Sequence, residues 1–549
     1  MYFRQWNLNA DGVSYFDLAR AFAAHGPRAL VNGYWSPLYP ALLGTVLAAL
    51  RPSHDAAYPV IRAVGFGVFV LTTFAFARLV RTALSVPNAP PNHVARLLAV
   101  VVAWELYAVL VLKGIGLPRA TPDAGVAAVF FWAGAELITV SRRPMAPARW
   151  MRLGAVLAVG YWWKAILFPV SGVVLIVAAA VALRRRDDWH GPAGAFATFG
   201  ALALLLIIPV SRHTGRLTFG ETGRLNQMWF VSQAAQIVET CPAVRPAVAP
   251  RGGVQLDTVI ANTPLTCALP DRWPESTLPL WYDPSQWYRN ASARLDLRAT
   301  RDAVVRDLGY VRDALGETSP WLTVMFCAAA LLVLLARAPG GGAWPLAIVA
   351  AGSVGFYLLV YVELRHIVPF LVAAGLVVLA ALVTRVARWR VIALTVLAAG
   401  GAVDLVNQVG EPVLIEGSIL RHEFRGDARP AQRSARVAHA LAQRGLMEGD
   451  RLATVNGMLE ADWAQRGGFV VRAYTPDYTV SFLRTFRELR DACTRAAWAK
   501  RLAAARIDAA VMLVPDGFKA PDGFEGLEDT GYYILRVDRQ KMPDGCPAA

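Results

Sequence analysis

Charge is scarce in this chain. Asp, Glu, Lys and Arg make up 17% of its 549 residues, against about 25% in soluble globular domains. With 56% hydrophobic residues and a mean hydropathy of +0.39, that shortage excludes an ordinary soluble protein and places the bulk of the chain in lipid. Lysine is scarcer still, five of 55 basic residues, so arginine is the default cation and a lysine at an apolar position stands out. Five cysteines are too few for a disulfide scaffold. There is no GxGxxG after a predicted strand, no internal repeat, and no low-complexity linker. The opening residues lack the basic-then-apolar pattern of a secretory leader. What remains in surplus is positive charge, +15 overall. The arginines cluster in short loops between apolar runs, which is the signature of membrane topology; the partner predicted for them is the lipid bilayer, and no nucleic acid.

A helix needs about 20 residues to cross a bilayer. Ten such spans are predicted, at 58–83, 93–112, 122–140, 149–163, 166–183, 191–210, 320–337, 344–361, 366–386 and 389–406. Arg78, Arg81 and Arg96 flank one connection, and Arg142, Arg143, Arg149 and Arg152 another. Arg184 to Arg186 and then Arg385, Arg388 and Arg390 mark two more. All four fall on one side, the cytoplasm by the positive-inside rule. The opposite side receives residues 1–57, the Thr-Pro-Asp at 121–123, a loop at 211–319, and everything after about 407. The apolar segment 36–50 is too short to cross and reads as an interfacial helix. Residues 1–57 must then be translocated with no span ahead of them. A further span upstream of Met1 would resolve this; a short tail crossing alone is the alternative.

The predicted organisation is a first outer loop with interfacial helices (1–57), a six-span region (58–210), a large periplasmic loop (211–319), a four-span region (320–406) and a periplasmic α/β domain (412–549). In the last, helices at 430–445, 459–466 and 480–504 alternate with strands at 451–456, 468–473, 508–514 and 531–537, which predicts a small, partly parallel sheet. Cys241 and Cys267 lie in the large loop, Cys493 and Cys546 in the C-terminal region, and Cys327 in a span. Two pairs in an oxidising compartment point to two disulfides. Cys241 with Cys267 and Cys493 with Cys546 are the suspected pairs, which sequence alone leaves open.

Unusual groups converge on the outer face. Asp11 opens a helix-forming stretch, DGVSYFDLARAF, with Tyr15 one turn on, followed by GYWSPLYP with Tyr34, Trp35 and Tyr39. Asp123 begins a span, where a carboxylate also suits a helix N-terminus. Lys164 sits between two spans in YWWKAILFP, and a lysine there needs an anion or a dipole. Glu363, Arg365 and His366 stand at another outer helix end, where they could also pair with one another. The large loop adds Arg216, Glu221 and Arg224, and an aromatic cluster of Trp281 and Tyr282 around Asp283. Aromatics at this level form interfacial belts and equally suit a sugar or isoprenoid surface. An acid beside cations can deprotonate an acceptor hydroxyl while the cations hold a leaving phosphate.

These motifs, in this order, resemble the GT-C class of membrane glycosyltransferases, in particular the protein O-mannosyltransferases and the aminoarabinose transferase of lipid A. The resemblance covers residues 9–385. It implies that Asp11 is the catalytic base, and that TPDAG (121–125) is the acid-bearing second outer loop. It further implies that YWWKAILFP holds the lysine-containing helix break, and that ELRHIVPF is an Arg-Tyr-x-x-Pro-like element with His366 in place of tyrosine. Many members carry Asp-Glu in the first loop; here Gly12 follows Asp11, so no paired-carboxylate motif supports a divalent metal and no cofactor is assigned.

The expectation is a polytopic α-helical membrane protein with a C-terminal soluble α/β domain. It would transfer a sugar from a polyprenyl-phosphate donor to an envelope glycolipid, glycan or protein on the periplasmic face of a bacterial inner membrane. Asp11 and Asp123 would be catalytic. Lys164, Arg365, His366, Arg216 and Arg224 would bind phosphate or substrate, with Tyr15, Tyr34, Trp35, Tyr39, Trp281, Tyr282 and Asp283. A polysaccharide polymerase or ligase of similar build is the near rival. A lipid-linked-sugar flippase would place ionisable groups at mid-membrane, where Glu105 and Glu136 alone are expected. A non-catalytic envelope scaffold would tolerate loss of Asp11 and Lys164.

Overall fold

The computed structural model describes residues 8–85, 93–116, 120–232, 259–269, 283–286, 293, 296–321, 323, 327, 342–385, 390–424, 433–457, 461–476, 479–515, 517–540 and 543–546. The chain opens with α1 (Ala10–His25), capped by Asn9, whose side chain accepts from the Gly12 amide; Asp11 in its first turn suits the positive end of the helix dipole. Then come α2 (Leu38–Leu50), α3 (Ala57–Leu84), α4 (His93–Val109, continued by a π-helical turn to Gly116), α5 (Asp123–Arg142), α6 (Pro147–Trp163), α7 (Leu167–Arg184) and α8 (His190–Thr214). A short α9 (Thr222–Asn226), the strands β1 (Val259–Asn262) and β2 (Leu265–Ala268), and α10 (Leu297–Thr318) lead to α11 (Trp344–Leu358), α12 (Leu364–Arg385) and α13 (Arg390–Phe424).

Among the described residues, seven helices are long and apolar enough to span a membrane: α3, α4 with its extension, α5, α7, α8, α12 and the first part of α13. Two further expected spans are shorter helices, α6 with 17 residues and α11 with 15. The tenth, 320–337, lies mostly outside the described residues. The segment 36–50 is α2, 13 residues long and so about 20 Å, too short for a core of about 30 Å. The helices share one apolar core in which α5 and α12 are central and mostly buried, while α3 and α13 leave most of their apolar surface open. One expectation needs correcting. Asp404 is a third carboxylate within the spans, overlooked although the expected span 389–406 already contained it; it is buried and bonded by the Ser319 hydroxyl, which holds it in the apolar layer.

The C-terminal region contributes α14 (Arg433–Gln443), β3 (Arg451–Val455), α15 (Asp462–Gly467), β4 (Val470–Tyr474), α16 (Thr479–Arg490), α17 (Ala492–Ala504), β5 (Ala509–Leu513), β6 (Glu525–Gly526) and β7 (Tyr532–Arg536). The helix expected at 480–504 is two, because Asp491 breaks it and caps α17 through the Thr494 amide. The strand order is β1-β2-β4-β3-β5-β7-β6, with β4, β3 and β5 parallel. The β1–β2 hairpin comes from the large loop and pairs antiparallel onto β4, so the loop and the C-terminal region build one sheet. Cys493 is bonded to Cys546. Cys267 is also disulfide-bonded, and Cys241 lies outside the described residues.

The sheet layer is tied to the membrane layer through α1 and α3. Asp462 accepts from the Leu8 amide at 3.2 Å, and the Tyr58 hydroxyl donates to the Asp462 carbonyl at 3.0 Å. Arg466 pairs with Asp55 and lies 3.6 Å from the centre of the Tyr58 ring.

Candidate active site

Three helix ends meet at the face that carries the sheet. α1 brings Asp11, α5 brings Asp123, and α12 brings Arg365 and His366, with Glu363 just ahead. Arg365 is the hub. It lies 2.9 Å from Asp11, 2.7 Å from Glu363 and 3.9 Å from Asp123. Pro369 lies one turn further along α12; lacking an N–H, it leaves the Arg365 carbonyl without its helical donor. Lys164 Nζ donates to Asp123 Oδ1 at 2.5 Å, and the Thr121 hydroxyl donates to the other oxygen at 2.8 Å. Three carboxylates thus share two cations. Asp123 is buried, whereas the Asp11 side chain keeps 20% of its surface exposed, enough to meet a substrate.

The break that presents Lys164 follows from packing. α6 ends at Lys164, whose backbone is extended, and α7 begins three residues later. Trp163, the last residue of α6, lies against Gly125 of α5; a Cβ there would sit 2.0 Å from the indole. The close approach lets the Trp163 Nε1–H donate to the Pro122 carbonyl at 2.6 Å. That bond holds Lys164 beside Asp123.

An aromatic wall surrounds the charges. Tyr15 packs edge-on to Trp35 at 4.8 Å and to Tyr39 at 5.2 Å, and Tyr34 meets Trp35 at 4.7 Å. Burial and then the charge of Asp11 push the Tyr15 and Tyr34 phenols well above their ordinary range, so both remain neutral hydrogen-bonding groups. Burial would also raise the Glu363 carboxyl, but Arg365, then His366 and the Tyr361 hydroxyl hold it below its usual value. His366 stacks on Tyr357 at 5.0 Å and accepts from the Glu363 amide at 3.3 Å. From the large loop, Phe230 stacks on Tyr361 at 3.9 Å and Trp229 lies 5.8 Å from Tyr34, roofing this side.

Some expected residues stand elsewhere. Arg216 and Arg224 pair with the buried Glu221 at 2.7 and 2.5 Å. Asp283 is buried and accepts from the Gly33 amide, lies 2.7 Å from His213, and accepts from Ser285. Both groups brace the turn at Gly33, whose carbonyl accepts from the Glu221 amide at 2.7 Å. A Cβ on Gly33 would meet Ser285 at 2.2 Å, so the turn demands glycine. Through that turn they are linked to Tyr34 and Trp35, the next two residues of the chain. Trp281 and Tyr282 lie outside the described residues.

Sequence reading missed Tyr357 and the importance of Trp163. The Tyr39 and Tyr357 hydroxyls are buried with no hydrogen-bond partner among the described residues. Buried polar groups are rarely left unpaired, and two idle phenols beside a charged cluster suit a polar ligand. The aromatic run before Glu363, YLLVY, is the one signal that could have marked Tyr357. The whole arrangement can accept a proton at Asp11 and hold an anion at Lys164 and Arg365.

A multi-span helical bundle whose charged cluster lies under a sheet-bearing cap is the GT-C architecture, and the fold of this chain is of that class. Solved structures of similar fold include two that match over nearly the full length. The ArnT structure from Cupriavidus metallidurans in the apo state has a TM-score of 0.53 and 14% identity, covering 98% of this chain and 95% of that one. The same protein bound to undecaprenyl phosphate has a TM-score of 0.53 and 15% identity, covering 100% and 96%. At that identity the likeness establishes the fold. No family model matches the chain, and no curated protein matches it either.

Proposed function

We propose that this chain is a membrane glycosyltransferase that moves a sugar from a polyprenyl-phosphate donor to an envelope acceptor, a glycolipid, glycan or protein, on the periplasmic face of a bacterial inner membrane. The observation that carries the reading is the Asp11–Arg365 pair at 2.9 Å, with Lys164 on the adjoining Asp123. A carboxylate that can take a proton stands beside cations that can take a phosphate. The undecaprenyl phosphate bound to the similarly folded ArnT supports a lipid-phosphate donor.

In the proposed reaction Asp11 takes the proton of an acceptor hydroxyl as its oxygen bonds to the anomeric carbon. The carbon–oxygen bond to the donor phosphate breaks on the opposite side, so the centre inverts. The bonding pair leaves with the lipid phosphate, whose growing charge falls on Arg365 and Lys164. Before the donor arrives, Arg365 is engaged by Asp11. Binding of the phosphate draws the guanidinium away and frees the carboxylate as a base. Asp123 keeps Lys164 aligned.

The deciding experiment is mass spectrometry of envelope glycolipids and glycoproteins from three strains: a deletion, the deletion with the wild-type gene, and the deletion with Asp11→Asn at equal membrane levels. A hexose- or pentose-sized mass lost on deletion, restored by wild type and absent with Asn supports the reading and names the sugar class. Full restoration by Asp11→Asn overturns the base assignment. A chain-length change without a single-sugar mass would favour the polymerase or ligase reading.

A further inference from the structure

Away from the Asp11 group, a groove of about 410 Å³ lies between the far ends of α1 and α2 and the loop at 51–57. Its lining includes Phe16, Ala23, Leu47 and Ala48, and its polar members include Arg20, Arg51 and His54. Arg20 is exposed and rests over the Phe16 ring at 5.6 Å. Arg51 ends α2 in a left-handed conformation, φ 46°, which turns the chain back over the groove. Neither arginine makes an ion pair among the described residues.

The acids nearby are committed to other partners. Asp55 is held by Arg466, and Glu448 lies 3.1 Å from His54. Asp17, one turn before Arg20, is half-buried on the side of Gln465, which bonds it, and feels the Arg20 charge from there. No acid lines the groove, so its charge is positive.

Its place in the fold fixes its surroundings. Ala57, in the lining, is the first residue of α3. That apolar helix has 28 residues and so runs about 42 Å, more than the roughly 30 Å hydrocarbon core, which leaves its end in the headgroup layer. Leu42 and Leu50 of α2 are exposed beside it. An apolar floor with two arginines at headgroup depth suits an anionic lipid, whose glycerol and first acyl carbons would cover the floor while its phosphate met the guanidinium groups.

We propose that this groove binds the phosphate of an anionic membrane lipid. The site is separate from the Asp11 group. Arg20 is nine residues beyond Asp11 on α1, which is about 13 Å along the axis and half a turn around it. The inference rests on the membrane architecture and stands whether or not the proposed transferase reaction is correct. It also has a structural consequence. The loop that walls the groove is the one α15 grips, through His54 to the Gln465 carbonyl at 3.1 Å and Asp55 to Arg466. A bound lipid would brace that grip.

Native mass spectrometry of the full chain in a neutral detergent tests this. The probes are dioleoyl-phosphatidylglycerol, dioleoyl-phosphatidylcholine and inorganic phosphate. Wild type should retain phosphatidylglycerol in preference to phosphatidylcholine, and millimolar phosphate should not displace it. The double variant Arg20→Gln/Arg51→Gln should bind it about tenfold more weakly, as loss of charge-assisted contacts at a partly exposed site implies. Arg20→Lys/Arg51→Lys should recover most of the loss. Arg28→Gln, a cation outside the groove, should change nothing. Melting temperatures in the same detergent identify any variant that fails to fold. Equal retention by the Gln pair overturns the proposal, as does equal binding of phosphatidylcholine. Ready displacement by inorganic phosphate would make this a site for free anions and overturn the lipid assignment.

Discussion

The two ends of α5 carry buried carboxylates that the protein handles in opposite ways. At the amino end, Asp123 shares Lys164 and Arg365 with Asp11 and Glu363, so acids outnumber cations. At the other end, Glu136 is fully buried and stands among three arginines: it pairs with Arg78, with Arg149 at 2.5 Å and with Arg152 at 3.9 Å. The indole of Trp132 lies under Arg78 at 4.7 Å and Arg152 at 5.8 Å. The first cluster has exposed acid surface and idle phenols beside it. In the second, the single acid is saturated, and the aromatic is occupied by the cations. A buried charge alone therefore does not mark a site; the unsatisfied balance around it does.

The sharpest way to break this comparison is to remove the acid at each end. Asp11→Asn should lower transferase turnover by about 10³-fold, within the range for loss of a general base, with donor binding retained or tightened as Arg365 is released. Single-turnover assays with a lipid-phosphate sugar measure both. Next in size, Lys164→Ala and Arg365→Lys should each cost about 10²-fold in kcat through weaker stabilisation of the leaving phosphate. If those losses appear only in KM, the cations bind the ground state and the assignment of leaving-group stabilisation fails.

Much of the first cluster was legible in the chain because its members are compositional oddities. Lys164 is a rare lysine at an apolar break, Asp123 follows Pro122, and Glu363-Leu-Arg365-His366 interrupts a long apolar stretch. That they would meet at one face followed from the alternation of the arginine loops. Most helices and the four longer C-terminal strands followed from period and length, as did a partly parallel sheet; which strands pair in parallel, β4 with β3 and β3 with β5, did not. The contacts between elements distant in sequence were not legible. Nothing in the period of α5 says that Trp163 will lie on Gly125, or that the Tyr39 and Tyr357 phenols will be left idle. Nor does the loop's sequence announce that β1 and β2 will extend a sheet whose other strands begin almost 200 residues later. Arg216, Glu221 and Arg224 stand out together, but sequence could not show that both arginines pair with that one buried acid, nor that His213 lies on Asp283.

At the opposite end of α5, Glu136→Gln sharpens the comparison. It strips the only acid from among three arginines and should cost about 1–3 kcal/mol of stability, since the loss of a buried partner is tempered by the partial exposure of the arginines. Thermal unfolding in detergent should show it, while kcat per folded molecule stays unchanged. A variant that keeps its melting temperature and loses turnover would mean that the two ends communicate.

The smallest expected effect concerns two further acids, Asp17 and Asp462, where the sheet layer meets α1. Burial lifts the Asp17 carboxyl to about 7, against the opposing pull of Arg20 and a bond from Gln465. Burial lifts Asp462 to about 6, against bonds from Ser434 and the Leu8 amide. In the unfolded or undocked chain both would titrate near about 4. The docked form therefore binds more protons than the undocked form between about pH 4 and 7, and by linkage its stability falls as pH rises through that window. Hydrogen exchange of α15 should accordingly be slower at pH 5.5 than at pH 8, once corrected for the intrinsic rate. Asp17→Asn, neutral at every pH, should remove most of that difference and leave α5 exchange unchanged. Exchange that slows as pH rises would reverse the sign and show that these carboxylates dock in their charged form, like Asp123 on Lys164.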